Sequence, residues 1–182
     1  MRKVADKIRF EARLLRPVAR QGAGWTFFVL PVQASERLPT RGMVTVDGTL
    51  DGHPFQATLE PDGRGSHWLR VDKALMEAAG VDSGDAVTLM VAPVEVEPEP
   101  RVPADVREAL VAHQAARATW DDLTPVARRD WIHWITSGKK AETRERRIHT
   151  ACDRLASGKR RACCFDRSGI YSKAFSAPKA IE

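Results

Sequence analysis

The residues of this chain best suited to ligand chemistry are basic and lie in its last third. Positions 137–161 hold nine lysines and arginines against three acids. Lys139, Lys140, Arg144 and Arg147 are candidate anion-binding residues, because ammonium and guanidinium groups pair with phosphate and carboxylate oxygens. Interleaved acids are equally typical of a solvated helix with local ion pairs. The run therefore predicts an anionic small molecule or an acidic protein as partner, with nucleic acid as an alternative.

A second candidate group, Arg64 with His67, lies in the glycine-containing sequence G-R-G-S-H. Glycine-flanked turns can aim backbone N–H groups at an anion, and histidine titrates near neutral pH. A G-x-G pattern alone is weak, and an ordinary hairpin loop is the favoured interpretation of this stretch. We expect Arg64 and His67 to meet the helix that carries Arg144 and Arg147, so that one basic surface binds the ligand.

Catalytic, metal and cofactor signatures are lacking in the sequence. No Ser/His/Asp order, paired-carboxylate pattern or phosphate-loop motif occurs in a convincing context. The spacing from His149 to Cys152, and from Cys152 to the adjacent Cys163 and Cys164, matches no zinc template. Three cysteines make an odd set, which indicates reduced thiols. We predict no catalytic residue, metal or cofactor and favour binding over catalysis, with an enzyme acting on a small anionic substrate as the alternative.

Three helices are predicted to position the basic residues. Pro103 suits the first turn of one helix, and Thr124 followed by Pro125 begins a second. A third covers 140–156. Arg144 lies one turn before the apolar Ile148 and therefore points toward the core, where it requires a carboxylate.

The carboxylates expected for Arg144 are Asp121, Asp122 or Asp130. Trp131 and Trp134 are three residues apart, which indicates core packing more than stacking on a ligand. His113 falls on the apolar stripe of the first helix and is predicted to be a core histidine. His133 and His149 are predicted to lie at the surface.

The first half of the chain reads as a small β-structure. The apolar residues Ile8, Phe10, Ala12 and Leu14 alternate with charged residues, which is typical of a strand with one buried face. The Asp51-Gly52 pair predicts a tight hairpin, and the stretch from Asp72 to Gly80 predicts a capped helix. Six strands and one helix in about ninety residues favour a closed barrel, which removes exposed strand edges.

Composition divides the chain at a Pro/Glu-rich stretch. Residues 1–100 carry a net charge of −2 and residues 101–182 a net charge of +7, within a total of +5. We expect a barrel domain at 1–96, a linker at 97–102, a helical segment at 103–158 and a basic tail at 159–182 that is either disordered or docked. The apolar run at 86–94 is far shorter than a membrane span, and no apolar stretch follows the first charged residues, so we expect a cytoplasmic protein.

Several motifs resemble known families. The stretch V-D-K-A-L-M-E-A-A-G-V-D-S-G-D-A-V-T-L-M-V resembles AbrB-like cradle-loop barrels. W-T-F-F-V-L-P, V-x-G-x-L-D-G-H-x-F and G-R-G-S-H resemble a bacterial barrel domain of unknown function. That domain often precedes a YdeI/OmpD-associated segment, of a family labelled bacteriocin protection. The helical signature of that segment is matched at Trp134, Ile135, Lys139, Lys140, Thr143, Arg144, Arg147 and Ile148.

The resemblance covers roughly residues 7–160 and implies a fold more directly than an activity. The sequence thus predicts an α+β protein, in which a closed six-stranded barrel with one inserted helix precedes a three-helix C-terminal segment. The resemblance also implies a non-catalytic binding or stress-protection role in bacteria.

Overall fold

A computed structural model describes residues 6–18, 24–162 and 175–181 of the chain. Cys163 and Cys164 lie outside the described residues. The chain forms two compact units. The barrel unit holds the described residues up to Glu95 together with 175–181, and the helical unit begins at Val96.

The described part of the barrel unit contains six antiparallel strands in the order β1-β6-β3-β4-β5-β2. Leu15 and Phe27 exchange two backbone hydrogen bonds, of 2.7 and 2.9 Å, which bring β2 back beside the end of β1. The sheet is therefore a nearly closed barrel, which confirms the predicted fold class. The strands are β1 Ile8–Arg13, β2 Thr26–Val29, β3 Val44–Leu50, β4 His53–Pro61, β5 His67–Val71 and β6 Ala86–Pro93.

The predicted alternation places apolar residues inside the barrel. Ile8, Phe10 and Leu14 are buried, whereas Arg9 and Arg13 between them are exposed. The same period of two brings buried side chains of the other strands into one continuous core, because successive residues of a strand face opposite sides of the sheet. These side chains include Phe28, Val46, Leu50, Leu59, Leu69, Leu89 and Val91.

The β3–β4 hairpin turns as the Asp-Gly pair predicts. Asp51 and Gly52 have φ angles of 46° and 85°, the left-handed values that a two-residue hairpin turn requires. The carboxylate of Asp51 also accepts a 2.8 Å hydrogen bond from the Thr88 N–H, and the Asp51 N–H donates to the Thr88 carbonyl. Asp51 therefore fixes both the turn and its position on β6.

The described part of the barrel unit contains two helices, where the sequence predicted one. The expected helix is α2 (Lys73–Ala79), capped by the Asp72 carboxylate, which accepts from the Leu75 N–H at 2.9 Å. The additional helix, α1 (Val32–Ser35), is a single turn after Pro31. A four-residue turn is too short to show helical periodicity, so the sequence could not reveal it.

A C-terminal segment, residues 175–181, docks on the barrel. The Val18 N–H donates to the Lys179 carbonyl and the Ile181 N–H donates to the Arg16 carbonyl, both at 2.8 Å. Phe175 is buried. Whether the tail as a whole, residues 159–182, is docked or disordered stays a prediction.

The described helical unit contains four helices, where the sequence predicted three. They are α3 Ala104–Ala112, α4 Gln114–Asp121, α5 Pro125–Thr136 and α6 Ala141–Ala156. His113 separates α3 from α4 with φ −121° and ψ 86°, and its side chain is exposed. The prediction of a core histidine at His113 is therefore wrong, because the chain bends where one continuous helix was assumed.

The core of the helical unit is built from Val106, Leu110, Ala116, Trp120, Leu123, Trp131, Ile135, Ala151, Cys152 and Leu155. No helix in the described ranges has the length and apolar character needed to cross a membrane.

The Pro/Glu stretch between the units is held on α5. Glu97 pairs with Arg129 at 2.9 Å, and both side chains are only 15% exposed. Glu99 pairs with Arg128 at 2.5 Å. Glu97 and Glu99 thus attach the stretch to α5 of the helical unit.

Gly48 on β3 lies directly opposite Phe55 on β4. A Cβ at position 48 would approach the Phe55 ring to 2.8 Å and the Met90 carbonyl oxygen to 2.9 Å. We predict that Gly48→Ala lowers the free energy of unfolding by about 2 kcal/mol, because the ring and backbone must move apart. Urea unfolding measures the change. The control is Gly24→Ala, whose Cβ would meet Lys73 Cδ only at 3.9 Å; equal losses would contradict the prediction.

Candidate functional site

His67 lies inside the barrel unit and is 2% exposed. Its Nε2 atom is 2.8 Å from the Gly42 carbonyl oxygen, and its Nδ1 atom is 2.7 Å from the Ser35 hydroxyl. A carbonyl only accepts, so Nε2 carries the proton and donates to Gly42, while the Ser35 hydroxyl donates to Nδ1. The ring is neutral, and burial lowers the pKa of His67 below its usual value.

These contacts make His67 a structural residue that links α1, the loop before β3 and the start of β5. Both ring nitrogens are engaged, so neither is available to a ligand. A hydroxyl beside an imidazole is also the arrangement of a nucleophile and its base. Ser35 is 5% exposed, however, which leaves no path for a substrate to its oxygen.

The loop that carries Arg64 holds an acid of its own. The Asp62 carboxylate accepts hydrogen bonds of 2.8 Å from the N–H groups of Arg64 and Ser66. These two backbone N–H groups, which the sequence predicted as donors to a bound anion, therefore donate to Asp62 instead. The Arg64 side chain itself is exposed.

The other four candidates lie at or near the α5–α6 turn, residues 137–140. Lys139 and Lys140 are exposed. Helix α6 begins at Ala141 without a side-chain cap, and its first backbone bond runs from the Arg144 N–H to the Lys140 carbonyl at 3.0 Å. The N–H groups of the first turn have no acceptor within a helix, so they face outward beside the two lysines.

Close packing fixes the shape of this turn. A Cβ at Gly138 would lie 3.1 Å from the Thr143 side chain and 3.4 Å from both the Arg144 nitrogen and the Ile135 oxygen. The glycine therefore lets the end of α5 approach the start of α6.

Arg147 binds the end of α5. Its Nη1 atom donates to the Trp134 carbonyl at 2.6 Å and to the Ser137 hydroxyl at 2.9 Å. The guanidinium lies 5.5 Å from the centroid of the Trp134 ring. Sequence reasoning missed this structural role, although the last carbonyls of a helix always need donors.

Arg144 pairs with Asp105 on α3. Its Nε and Nη2 atoms donate to the two carboxylate oxygens at 2.6 and 3.0 Å, and this bidentate contact lowers the pKa of Asp105. The predicted partners Asp121, Asp122 and Asp130 were wrong. Each of them lies beside another arginine, in the pairs Asp121–Arg117, Asp122–Arg160 and Asp130–Arg129.

The structure thus divides the six candidates into two groups. Lys139, Lys140, Arg144 and Arg147 gather at or beside one turn of the helical unit, while Arg64 and His67 belong to the barrel unit. That the two groups meet on one surface stays a prediction.

The aromatic and histidine predictions had mixed outcomes. Trp131 is buried and meets Trp134 edge-on at 5.9 Å between centroids, which confirms core packing. His133 is half-buried, and burial with the nearby Arg129 lowers its pKa to about 4, so its predicted surface position was wrong. His149 is exposed. Among the described residues no group of three or more His, Cys, Asp or Glu side chains is placed to hold a metal.

We predict that His67 makes stability depend on pH. Its pKa is lower in the folded chain than in the unfolded chain, so its contribution is complete above about pH 6.5 and is lost as the pH falls below that value. His67→Gln should be less stable at pH 7 and should lose less stability between pH 7 and 5. Chemical unfolding at both pH values measures the difference.

His133 and Glu60 also make stability depend on pH in this range, because the pKa of His133 falls from 6.5 to about 4 on folding and that of Glu60 rises from 4.5 to about 7. His133 weakens the fold as the pH falls, whereas the buried Glu60 favours it by taking up a proton. Both are unchanged in His67→Gln, so the difference between the two proteins isolates His67. If the free energy of unfolding changed equally with pH in the unchanged chain and in His67→Gln, the role assigned to His67 would be contradicted.

We predict unequal roles for the two arginines of α6. Arg147→Met should lower the free energy of unfolding by about 2 kcal/mol, because the end of α5 loses a charged donor. Arg144→Met should cost only about 0.5 kcal/mol, since Arg144 and Asp105 are 34% and 44% exposed and water screens their attraction. Urea unfolding measures both, with the exposed Arg146→Met as control. A larger loss for Arg144→Met would contradict this ranking.

Comparison with known families agrees with this division into units. Residues 10–91 match the family described as a domain of unknown function (DUF1905). Residues 99–158 match the family described as Bacteriocin-protection, YdeI or OmpD-Associated. No curated protein matches the chain. The similarity to AbrB-like barrels stays an expectation.

The first match spans most of the six strands and the second spans all four helices of the helical unit. The barrel is therefore similar to the DUF1905 family over residues 10–91, and the helices are similar to the YdeI/OmpD-associated, bacteriocin-protection family over residues 99–158.

Proposed function

We propose that this chain is a non-catalytic binding protein of the bacteriocin-protection type, and that it recognises an anionic group at the α5–α6 turn. The observation that carries this proposal is the uncapped first turn of α6 beside the exposed Lys139 and Lys140. A bacterial cytoplasmic location is part of the same proposal.

The start of α6 suits an anion for two physical reasons. Its free N–H groups point outward, and the aligned peptide dipoles give this end of the helix a partial positive charge. The exposed side chains of Lys139 and Lys140, which directly precede α6, add two full positive charges near this end of the helix. An exposed phosphate or carboxylate gains hydrogen bonds and charge attraction together.

The turn is held in shape before any ligand arrives. Arg147 binds the last residues of α5, and Gly138 packs against the first turn of α6. A fixed set of donors loses little conformational freedom on binding, which supports recognition of a small ligand.

Binding is favoured over catalysis because, among the residues that the structure describes, the turn offers donors and no nucleophile or base placed to act on a ligand. The Ser137 hydroxyl donates to the Trp134 carbonyl at 3.0 Å and accepts from Arg147. His149 pairs with Asp153 further along α6. Neither group is placed to attack a ligand at the turn.

A small anion or an acidic protein side chain is favoured over nucleic acid. Arg144, Arg147 and Arg160 are engaged inside the helical unit, by Asp105, by the end of α5 and by Asp122. The exposed acids Glu142 and Glu145 interrupt the remaining basic surface, and a phosphate backbone would meet them.

Titration of the ¹⁵N-labelled chain with pyrophosphate tests the proposal. We expect the largest shifts at the amides of 141–143. The double variant Lys139→Met/Lys140→Met should bind about tenfold more weakly, since each lysine contributes up to about 1 kcal/mol at an exposed helix end. Glu142→Gln should bind more tightly, because an acid in the first turn repels the anion.

The matched control is Lys159→Met, because Lys159 is exposed just beyond the other end of α6. The same titration with an acidic peptide and with a DNA duplex identifies the class of anion. Shifts that avoid 141–143, or equal binding by the double variant and the control, would contradict the proposal.

A further inference from the structure

The barrel unit contains a cavity of about 500 Å³ between α2 and the start of β2. We propose that this cavity binds a small zwitterion with an apolar or aromatic body, of the kind represented by a free amino acid or a dipeptide. The site is independent of the α5–α6 turn, because all its described lining residues belong to the barrel unit.

One wall of the cavity is a face of α2 and the residue that follows it. Lys73, Met76, Glu77 and Gly80 line it at the spacing i, i+3, i+4 and i+7, which places them along one side of a helix. Helix α2 has no fully buried residue, although Met76 packs partly against the barrel core. Part of the apolar surface of α2 is thus left uncovered, and a ligand in the cavity would cover it.

The lining also includes the aromatic side chain of Trp25. The Trp25 ring lies 4.6 Å from the guanidinium carbon of Arg70 and 6.4 Å from the ring of Phe27, measured to the ring centroids. The Thr26 hydroxyl donates to the Met76 sulfur at 3.4 Å. A fixed indole favours a planar or apolar ligand body.

The charges of the lining are balanced. Arg16 and Lys73 face the same cavity as Glu77 and Asp82. Lys73 and Glu77 approach each other at 3.5 Å, and their side chains are 73% and 67% exposed, so water or a ligand can replace this contact. A zwitterion satisfies both signs, whereas a simple anion or cation would meet two groups of its own sign.

The docked C-terminal segment contributes Ile181 to the lining. This apolar side chain is 53% exposed, and the Ile181 N–H is held by the Arg16 carbonyl. The ligand body therefore has apolar contacts from Trp25, Met76 and Ile181, with the charged groups around them. A volume of this size holds an amino acid with water, or a dipeptide.

Calorimetric titration of the full chain with L-phenylalanine tests the inference. We expect saturable binding that weakens at least tenfold for N-acetylphenylalanine, which lacks the ammonium, and for phenylalanine amide, which lacks the carboxylate. Glu77→Gln and Lys73→Met should each weaken phenylalanine binding at least fivefold. A Phe-Gly dipeptide shows whether the larger zwitterion is preferred, and binding of either one supports the site.

Arg117→Met is the matched control, because Arg117 forms a similar exposed i,i+4 pair with Asp121 in the helical unit. Pyrophosphate binding should be unchanged in Glu77→Gln, which separates this site from the proposed function. The inference is overturned by lack of saturation at about 10 mM, well above a millimolar dissociation constant. It is also overturned if the capped analogues bind as well as phenylalanine, or if the control loses as much affinity as the two cavity variants.

Discussion

The neutral imidazole of His67 ties three segments of the barrel unit together. From strand β5 it reaches Ser35 at the end of α1 and the Gly42 carbonyl before β3. A buried polar group is tolerated only when its hydrogen bonds are satisfied, so these segments must hold their positions for the ring to remain inside. The Asp62 carboxylate likewise fixes the loop before β5, because it accepts hydrogen bonds from the N–H groups of Arg64 and Ser66.

The helical unit uses its arginines for a related purpose. Arg147 satisfies carbonyl and hydroxyl groups at the end of α5, Arg144 fastens α6 to α3, and Arg129 holds the glutamate stretch that leads into the unit. A strongly basic sequence therefore does not produce an equally basic free surface. The basic residues that remain exposed in the α5–α6 turn are Lys139 and Lys140. Lysine is more flexible and more strongly hydrated than arginine.

The sequence predicted those features that depend on neighbouring residues. The strands, the Asp51-Gly52 turn, the Asp72 cap and the start of α5 at Thr124 follow from periodicity and local hydrogen bonding. The partner of Arg144 and the burial of His67 depend on residues more than thirty positions away, at Asp105 and Ser35. Helix α4 was missed because His113 interrupts a stretch that reads as continuous helix. The sequence grouped the six candidate residues by their charge, because their distant partners cannot be read from neighbouring positions. Three of the six, His67, Arg144 and Arg147, have structural partners.

The C-terminal segment returns to the barrel after the whole helical unit has been completed. The bond between Val18 and Lys179 closes a loop of about 160 residues, and closing so long a chain costs roughly 4–5 kcal/mol of entropy when the intervening residues are unfolded. Once the helices have formed, the effective loop is shorter and the cost falls. Docking of residues 175–181 is therefore least costly after the helical unit has folded, and the part of the cavity lining that Ile181 contributes is completed with it.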